Sequence, residues 1–271
     1  YNLTGIAYRR KGEIDQAIQH YQNVLRLQPA LPEVHYNLGI AYTNKGLFDE
    51  AVKEYLTAIE LNPSYAKAYA NLGHVYLEKD MVAQAIEACE KALEIYPLLA
   101  NALSTLGAAY ILKNKFEEAE SFSRKAAELD PELEGAHNNL GSIYLNKKMY
   151  AEAVIEYLRA LEISPEFFEV HYNLGRAYLF QGAVDSAIDE FKEAIRLSPR
   201  YHQAYSNLAA AYLKKQMREE AIQACQKAIE IKPNYGHAYS NLGYAYLEKG
   251  MMEESRAACS KAVELSPQLP E

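Results

Sequence analysis

The chain repeats itself every 34 residues from end to end, and that period constrains the fold more than any other feature. Gly5, Gly39, Gly73, Gly107, Gly141, Gly175 and Gly243 lie on one lattice, with Ala209 in the remaining place. Three residues further on, Tyr8, Tyr42, Tyr76, Tyr110, Tyr144, Tyr178, Tyr212 and Tyr246 fill every place. Pro29, Pro63, Pro97, Pro131, Pro165, Pro199, Pro233 and Pro267 close each unit, and no insertion or deletion breaks the frame. A period of this size describes a stacked array, in which each unit buries its apolar face against its neighbours and no single core forms. Arrays of this kind serve binding more than catalysis.

Residues 32–65 show what one unit is made of. Val34, Leu38, Ala41 and Tyr42 recur at the spacing of an apolar helical stripe. Lys45 then places a cation at the negative helix end, and Gly46 accepts a left-handed cap. Asp49 and Glu50 open a second helix at its positive end; Ala51, Tyr55, Ala58 and Ile59 give it an apolar stripe; Pro63 forbids its continuation. The unit is a helical hairpin. Mid-helix glycine costs about 1 kcal/mol relative to alanine, so the Gly39 lattice needs a steric reason. The expected partner surface is the row Ala17, Ala51, Ala85, Ala119, Ala153, Ala187 and Ala221, with Ser255 last. The tyrosine row reads as core packing, not as a cofactor site.

The order Leu-Gly-x-x-Tyr, then Ala, an aromatic, Ala and Pro, at this period over the whole chain, resembles the tetratricopeptide repeat. That resemblance implies an all-α, right-handed superhelical solenoid of about eight units, with first helices lining a concave groove and second helices on the convex wall. The units are residues 1–31 (truncated), 32–65, 66–99, 100–133, 134–167, 168–201, 202–235 and 236–269. Pro267-Gln268-Leu269-Pro270-Glu271 parallels Pro29-Ala30-Leu31-Pro32-Glu33, which leads into a further unit, so the expectation is a single solenoid cut from a longer array.

One polar residue recurs where helix propensity gives it no reason to. Asn37, Asn71, Asn139, Asn173, Asn207 and Asn241 each precede a Leu-Gly or Leu-Ala pair, and Thr105 is the single substitute in units two to eight. The resemblance places this row in the groove, where a primary amide offers an acceptor and donors to an extended peptide backbone. Hairpins stacked about 8–10 Å apart would present one amide to roughly every third residue of such a peptide. The same amides could instead bond between neighbouring helices. The ladder resembles that in the non-catalytic arm of O-linked N-acetylglucosamine transferase, whose catalytic domain has no counterpart in this sequence.

Around the ladder, Ala70, Ser104, Asn138, Ser206 and Ser240 form a row broken by Tyr36 and Tyr172. Leu77, Ile111, Leu145, Leu179, Leu213 and Leu247 form another, either half-buried structure or an apolar seam for ligand side chains. The few charges expected there are Arg9, Arg10, Lys67, Glu78, Arg176 and Lys214. The candidate peptide-binding set is therefore the six asparagines with Tyr36, Tyr172, Lys67 and Arg176. A carboxylate clamp of the chaperone-binding members is not expected: Asn37 and Lys67 match two of its places, but Asn2, Ile6 and Asn71 occupy the others.

The net charge of −8, without a basic run, argues against nucleic acid as partner. No stretch approaches the ~18 apolar residues of a membrane span. Neither a cofactor nor a metal is implied: the lattice mates His137 and His171 should stand a full unit apart, too far to share a metal, and no phosphate loop or nucleophile constellation is present. Asn2-Leu3-Thr4 matches a glycosylation acceptor by chance, within a helical unit. Cys89, Cys225 and Cys259 share the lattice place of Tyr21, Tyr55, Tyr157 and Phe191, so they read as packed free thiols, which fits a reducing, cytoplasmic compartment. Unit four departs most from the pattern, with Ser123 at that packed place, Ala127, Glu120 and Thr105; Phe122 is positioned to fill part of the gap. The functional expectation is a non-catalytic scaffold holding an extended peptide or a partner helix in its groove; the alternative is a substrate-recruiting arm for a catalytic domain encoded elsewhere.

Overall fold

A computed structural model describes residues 2–265. Tyr1, the side chain of Asn2, Pro267 and the 267–271 continuation lie outside the described residues. The first helices of the repeats are α1 (Asn2–Arg10), α3 (Pro32–Asn44), α5 (Ala66–Glu78), α7 (Ala100–Leu112), α9 (Glu134–Asn146), α11 (Phe168–Gln181), α13 (His202–Lys214) and α15 (Gly236–Glu248). The second helices are α2 (Ile14–Leu27), α4 (Phe48–Leu61), α6 (Val82–Ile95), α8 (Phe116–Leu129), α10 (Tyr150–Ile163), α12 (Val184–Leu197), α14 (Arg218–Ile231) and α16 (Met252–Leu265). No strand occurs among the described residues.

The turn inside each hairpin follows from one backbone conformation. Gly12, Gly46, Gly182 and Gly250 have φ between 74° and 85°, as the stop signal at Gly46 leads one to expect. The same place is left-handed where no glycine stands: Asp80, Asn114, Lys148 and Gln216 have φ of 55–59°. The next N–H bonds back to the carbonyl of the lattice tyrosine, as in Leu47 to Tyr42 at 2.9 Å and Met217 to Tyr212 at 3.0 Å. These are the paired bonds of a Schellman cap, which satisfy carbonyls that the helix end would otherwise leave open. The tyrosine rings themselves are mostly half-buried and pack against the core clusters, as Tyr42, Tyr110 and Tyr178 do.

The glycine lattice proves to make room for a different neighbour from the one expected. A Cβ on Gly39 would lie 2.6 Å from the Tyr55 ring, and one on Gly175 would lie 2.7 Å from Phe191. On Gly243 it would meet Cys259 Sγ at 2.5 Å. Glycine therefore accommodates the large side chain one turn beyond the alanine row. The alanines face it mainly through backbone, as the Ala85 carbonyl oxygen does, 3.0 Å from the Cβ that Gly73 lacks. Tyr21, Tyr55, Tyr157 and Phe191 are fully buried in consequence, and each such aromatic contributes about 1.5–3 kcal/mol of burial. Cys89 and Cys225 are buried free thiols at the same place, but Cys259 is exposed. Its helix, α16, has no described helix packed on its far side, so the expectation of a packed thiol fails there.

The chain divides into two compact units, Tyr1–Ile143 and Tyr144–Glu271. Within each unit, successive hairpins pack second helix on first helix, as α4 does on α5 and α12 on α13. In the first unit α1 also approaches α3, α3 approaches α5, and α5 approaches α7; in the second, α11 approaches α13 and α13 approaches α15. Among the described residues of either unit, consecutive second helices do not come this close. First helices thus occupy the inner, tighter side of each unit.

Two further ties link hairpins. The recurring lysine at the first-helix end reaches back to an acid at the start of the preceding second helix: Lys45 to Asp15 at 2.6 Å, Lys249 to Glu219 at 3.1 Å, and likewise Lys79 to Asp49 and Lys215 to Asp185. The acids are largely exposed, so each pair adds at most about 1 kcal/mol. The ladder asparagines make the other tie.

Candidate binding face

The ladder asparagines sit on the inner helices with one side of the amide already engaged. Asn139 Nδ2 donates to the Ser104 carbonyl at 2.8 Å, and Asn241 Nδ2 donates to the Ser206 carbonyl at 2.9 Å. Where the preceding repeat carries tyrosine instead of serine, the amide meets the ring hydroxyl: Asn71 to Tyr36 at 3.3 Å, and Asn207 to Tyr172 at 2.9 Å. Asn173 accepts from Arg176 Nη1 at 3.5 Å. Asn37 and Asn139 are buried, while Asn71, Asn173, Asn207 and Asn241 are half-buried. Thr105 bonds to the Asn101 carbonyl of its own helix at 2.9 Å, which interrupts the ladder in unit four. The donor half of the amide therefore holds neighbouring inner helices together. The Oδ1 atoms of Asn71, Asn207 and Asn241 make no hydrogen bond of ordinary length among the described residues and so keep their acceptor capacity.

The rows beside the ladder divide differently from expectation. Ala70, Ser104 and Ser206 are buried in the seam between inner helices, where Asn139 bonds over Ser104 and Asn241 over Ser206, while Thr105 stands at the equivalent place beyond Ala70. Leu145 and Leu213 are buried, Leu77, Ile111 and Leu179 half-buried, and Leu247 exposed, so this row is mainly structure. Lys67 is exposed and Arg176 half-buried.

Tyr36 and Tyr172 mark two equivalent places. The run Glu33–Gly39 recurs unchanged as Glu169–Gly175. Tyr36 packs on Tyr65 with ring centroids 4.9 Å apart, and Tyr172 packs on Tyr201 at 5.0 Å, with Arg176 over the Tyr172 ring at 5.7 Å. Burial raises the pKa of both Tyr36 and Tyr172, so each hydroxyl keeps its proton at neutral pH. Each accepts from asparagine, which leaves that proton free to donate outward. Tyr65 and Tyr201, which wall these places, escaped sequence reasoning because they sit at the unit boundary; their shared lattice place was the available signal. The exposed Phe180 and Tyr244 on inner helices were likewise missed.

His35 and His171 are structural. Nδ1 of His35 meets Glu54 at 2.6 Å and its Nε2 meets the Pro29 carbonyl at 2.9 Å; His171 repeats this with Glu190 at 2.7 Å and Pro165 at 2.9 Å. Both ring nitrogens face acceptors. Burial alone would lower the His171 pKa, but the Glu190 hydrogen bond, the Pro165 carbonyl and the nearby glutamate charges together raise it. No group of three or more His, Cys, Asp or Glu is placed to hold a metal among the described residues, and no described helix is long and apolar enough to cross a membrane.

Comparison with known proteins agrees with this geometry. A family model described as "TPR repeat" matches residues 5–46, 41–80, 146–182 and 175–216. Models described as "Tetratricopeptide repeat" match residues 64–132, 202–235 and 236–269. No curated protein matches the chain. Among solved structures, a chain of the APC/C hetero-tetramer Cut9-Hcn1 is similar at 21% identity and a TM-score of 0.83, over 90% of this chain and 48% of that one. The present chain thus spans about half the length of that relative. MamA is 28% identical at a TM-score of 0.53, over 60% of this chain and 95% of its own. PilF of Pseudomonas aeruginosa is 23% identical at 0.65, over 75% and 93%. These likenesses establish the fold class, an all-α repeat solenoid.

Proposed function

Because the chain belongs to the tetratricopeptide repeat family, we propose that it is a non-catalytic scaffold that holds an extended peptide of a protein partner on its inner helices. Repeats of this family typically mediate protein–protein contact, and the Cut9-Hcn1 relative is itself part of a hetero-tetramer. The observation that carries the reading is the orientation of the ladder. The Nδ2 atoms of Asn71, Asn139, Asn207 and Asn241 are spent on the preceding repeat, which fixes these amides and leaves Oδ1 of Asn71, Asn207 and Asn241 as an acceptor for peptide N–H groups. The Tyr36 and Tyr172 hydroxyl protons add donors for peptide carbonyls at two points. Backbone groups recur in every peptide, so this grip is sequence-tolerant.

The test begins with a peptide selected from a random-sequence library displayed on phage. Calorimetry with that peptide then compares the parent chain with a variant carrying both Asn207→Ala and Asn241→Ala. Two hydrogen bonds of about 0.5–1.5 kcal/mol each predict a loss of roughly 10-fold or more. Unchanged affinity in a variant of full helicity would assign the ladder to structure alone.

A further inference from the structure

The two tyrosine places on the inner helices are built alike and differ in one residue. Tyr36 packs on Tyr55 at 6.1 Å and on Tyr65 at 4.9 Å; Tyr172 packs on Phe191 at 6.1 Å and on Tyr201 at 5.0 Å. Each ring hydroxyl accepts from the asparagine of the next repeat, Asn71 or Asn207. The Glu33–Gly39 run then continues into Ile40, whereas its copy Glu169–Gly175 continues into Arg176. Elsewhere the same lattice place holds Ile6, His74, Ala108, Ser142, Ala210 and Tyr244, and it is half-buried or exposed in every repeat. It is an open position of the inner helices, and Arg176 is the only arginine or lysine on it.

The Arg176 guanidinium is held in place but not neutralised. Nη1 reaches Asn173 Oδ1 at 3.5 Å on the same helix, and the group lies over the Tyr172 ring, 5.7 Å from its centre. Among the described residues no carboxylate lies within ion-pair distance of it, whereas Arg124, Arg159, Arg196 and Arg218 each have one. Arg10, Arg26, Arg200 and Arg256 also lack such a partner, but they are exposed, where water compensates the charge. A guanidinium carries five donors, and the long bond to Asn173 occupies one of them. A carboxylate supplies the missing charge and two acceptor oxygens at the spacing of the guanidinium fork. No second arginine or lysine stands on α11, so the single charge of a carboxylate is matched better than the two of a phosphate.

We propose that Arg176 receives the side-chain carboxylate of an aspartate or glutamate in the bound peptide. The place at Tyr172 then reads an acidic residue, and its twin at Tyr36, with Ile40, does not. The carboxylate site stands on its own geometry; the peptide that carries the carboxylate rests on the function proposed above. Arg176 is thereby the specificity-determining residue of an otherwise sequence-tolerant face.

The side-chain Nε–H resonance of Arg176, assigned by its loss in Arg176→Ile, reads the site directly in the 271-residue chain. Sodium acetate is titrated against sodium chloride at constant ionic strength. Calorimetry then compares the blocked peptides Ac-Ala-Ala-Glu-Ala-Ala-NH2 and Ac-Ala-Ala-Gln-Ala-Ala-NH2 with a third that carries phosphoserine at the central place. Acetate is expected to shift Arg176 saturably and further than the exposed Arg200. The glutamate peptide is expected to bind at least about 5-fold more tightly than the glutamine one. Arg176→Ile, which installs the residue of the equivalent place and so preserves packing, is expected to erase that difference at unchanged helicity. An Arg176 resonance unmoved by acetate, equal measurable binding of the glutamate and glutamine peptides, or a glutamate preference that survives Arg176→Ile would overturn the site. Tighter binding of the phosphoserine peptide than of the glutamate one would assign the site to phosphate and overturn the carboxylate. A saturable acetate shift with no binding of any peptide would uphold the carboxylate site and reject the peptide-holding reading, so the two proposals fail separately.

Discussion

Asp80, Asn114, Lys148 and Gln216 hold a left-handed backbone that glycine adopts without a Cβ clash. Gln216 is exposed and its side chain makes no hydrogen bond among the described residues, so replacing it removes little but the strain. Gln216→Gly is expected to stabilise the chain by about 0.5–1 kcal/mol, less than the full relief because glycine also loosens the unfolded chain. Asn114→Gly should gain less, since asparagine tolerates this conformation. Urea unfolding of the two variants checks the order; a destabilised Gln216→Gly would show that the side chain does more at this turn than the structure reveals. The turn was legible in the sequence because Lys45-Gly46 supplies the signal and the period carries it to places without glycine. The ladder was legible only in part. Its chemistry follows from asparagine in a helix, but its donor goes to a residue 35 positions earlier, in the neighbouring repeat. Nothing local distinguishes that bond from one to a ligand.

At the scale of the element, the α7–α8 hairpin is where the sequence departs most from the repeat, and we expect it to be the least stable. Ser123 fills the place of a buried tyrosine, phenylalanine or cysteine, is 0% exposed, and has a hydroxyl without a hydrogen-bond partner. Phe122 recovers part of the loss by stacking on Tyr110 at 5.4 Å and packing beside Leu93 and Leu103. Ser123→Cys installs the residue found at Cys89 and Cys225, removing an unsatisfied hydroxyl and filling space. The expected gain is about 1–2 kcal/mol. In a nearest-neighbour array such a defect stays local. Amides of residues 100–133 should therefore exchange faster than those of 66–99, and Ser123→Cys should slow them. Hydrogen exchange read by mass spectrometry decides it; equal protection across both segments in the parent chain would show that Phe122 closes the gap fully. The same element shows why the glycine lattice was misread. A repeated Gly and a repeated Ala suggest a facing pair, but helix geometry sets Gly39 against Tyr55, one turn beyond Ala51.

For the molecule as a whole, the fold was written in one dimension: a constant period fixes hairpin length, turn place and stacking partner before any contact is known. The binding face was not, because it depends on which side of each inner helix its neighbours cover. Ala70, Ser104 and Ser206 lie under the next repeat, while Tyr36 and Tyr172 keep a hydroxyl proton to offer. The central claim is that a peptide lies along the inner helices and is held by the Oδ1 atoms of the ladder. The most direct measurement is the side-chain amide spectrum of the 15N-asparagine-labelled chain, recorded with and without the library-selected peptide. The account predicts shifts for Asn71, Asn207 and Asn241, with the second-helix and loop asparagines Asn23 and Asn62 unmoved. Binding that shifts Asn23 and Asn62 while leaving the three ladder amides in place would contradict it.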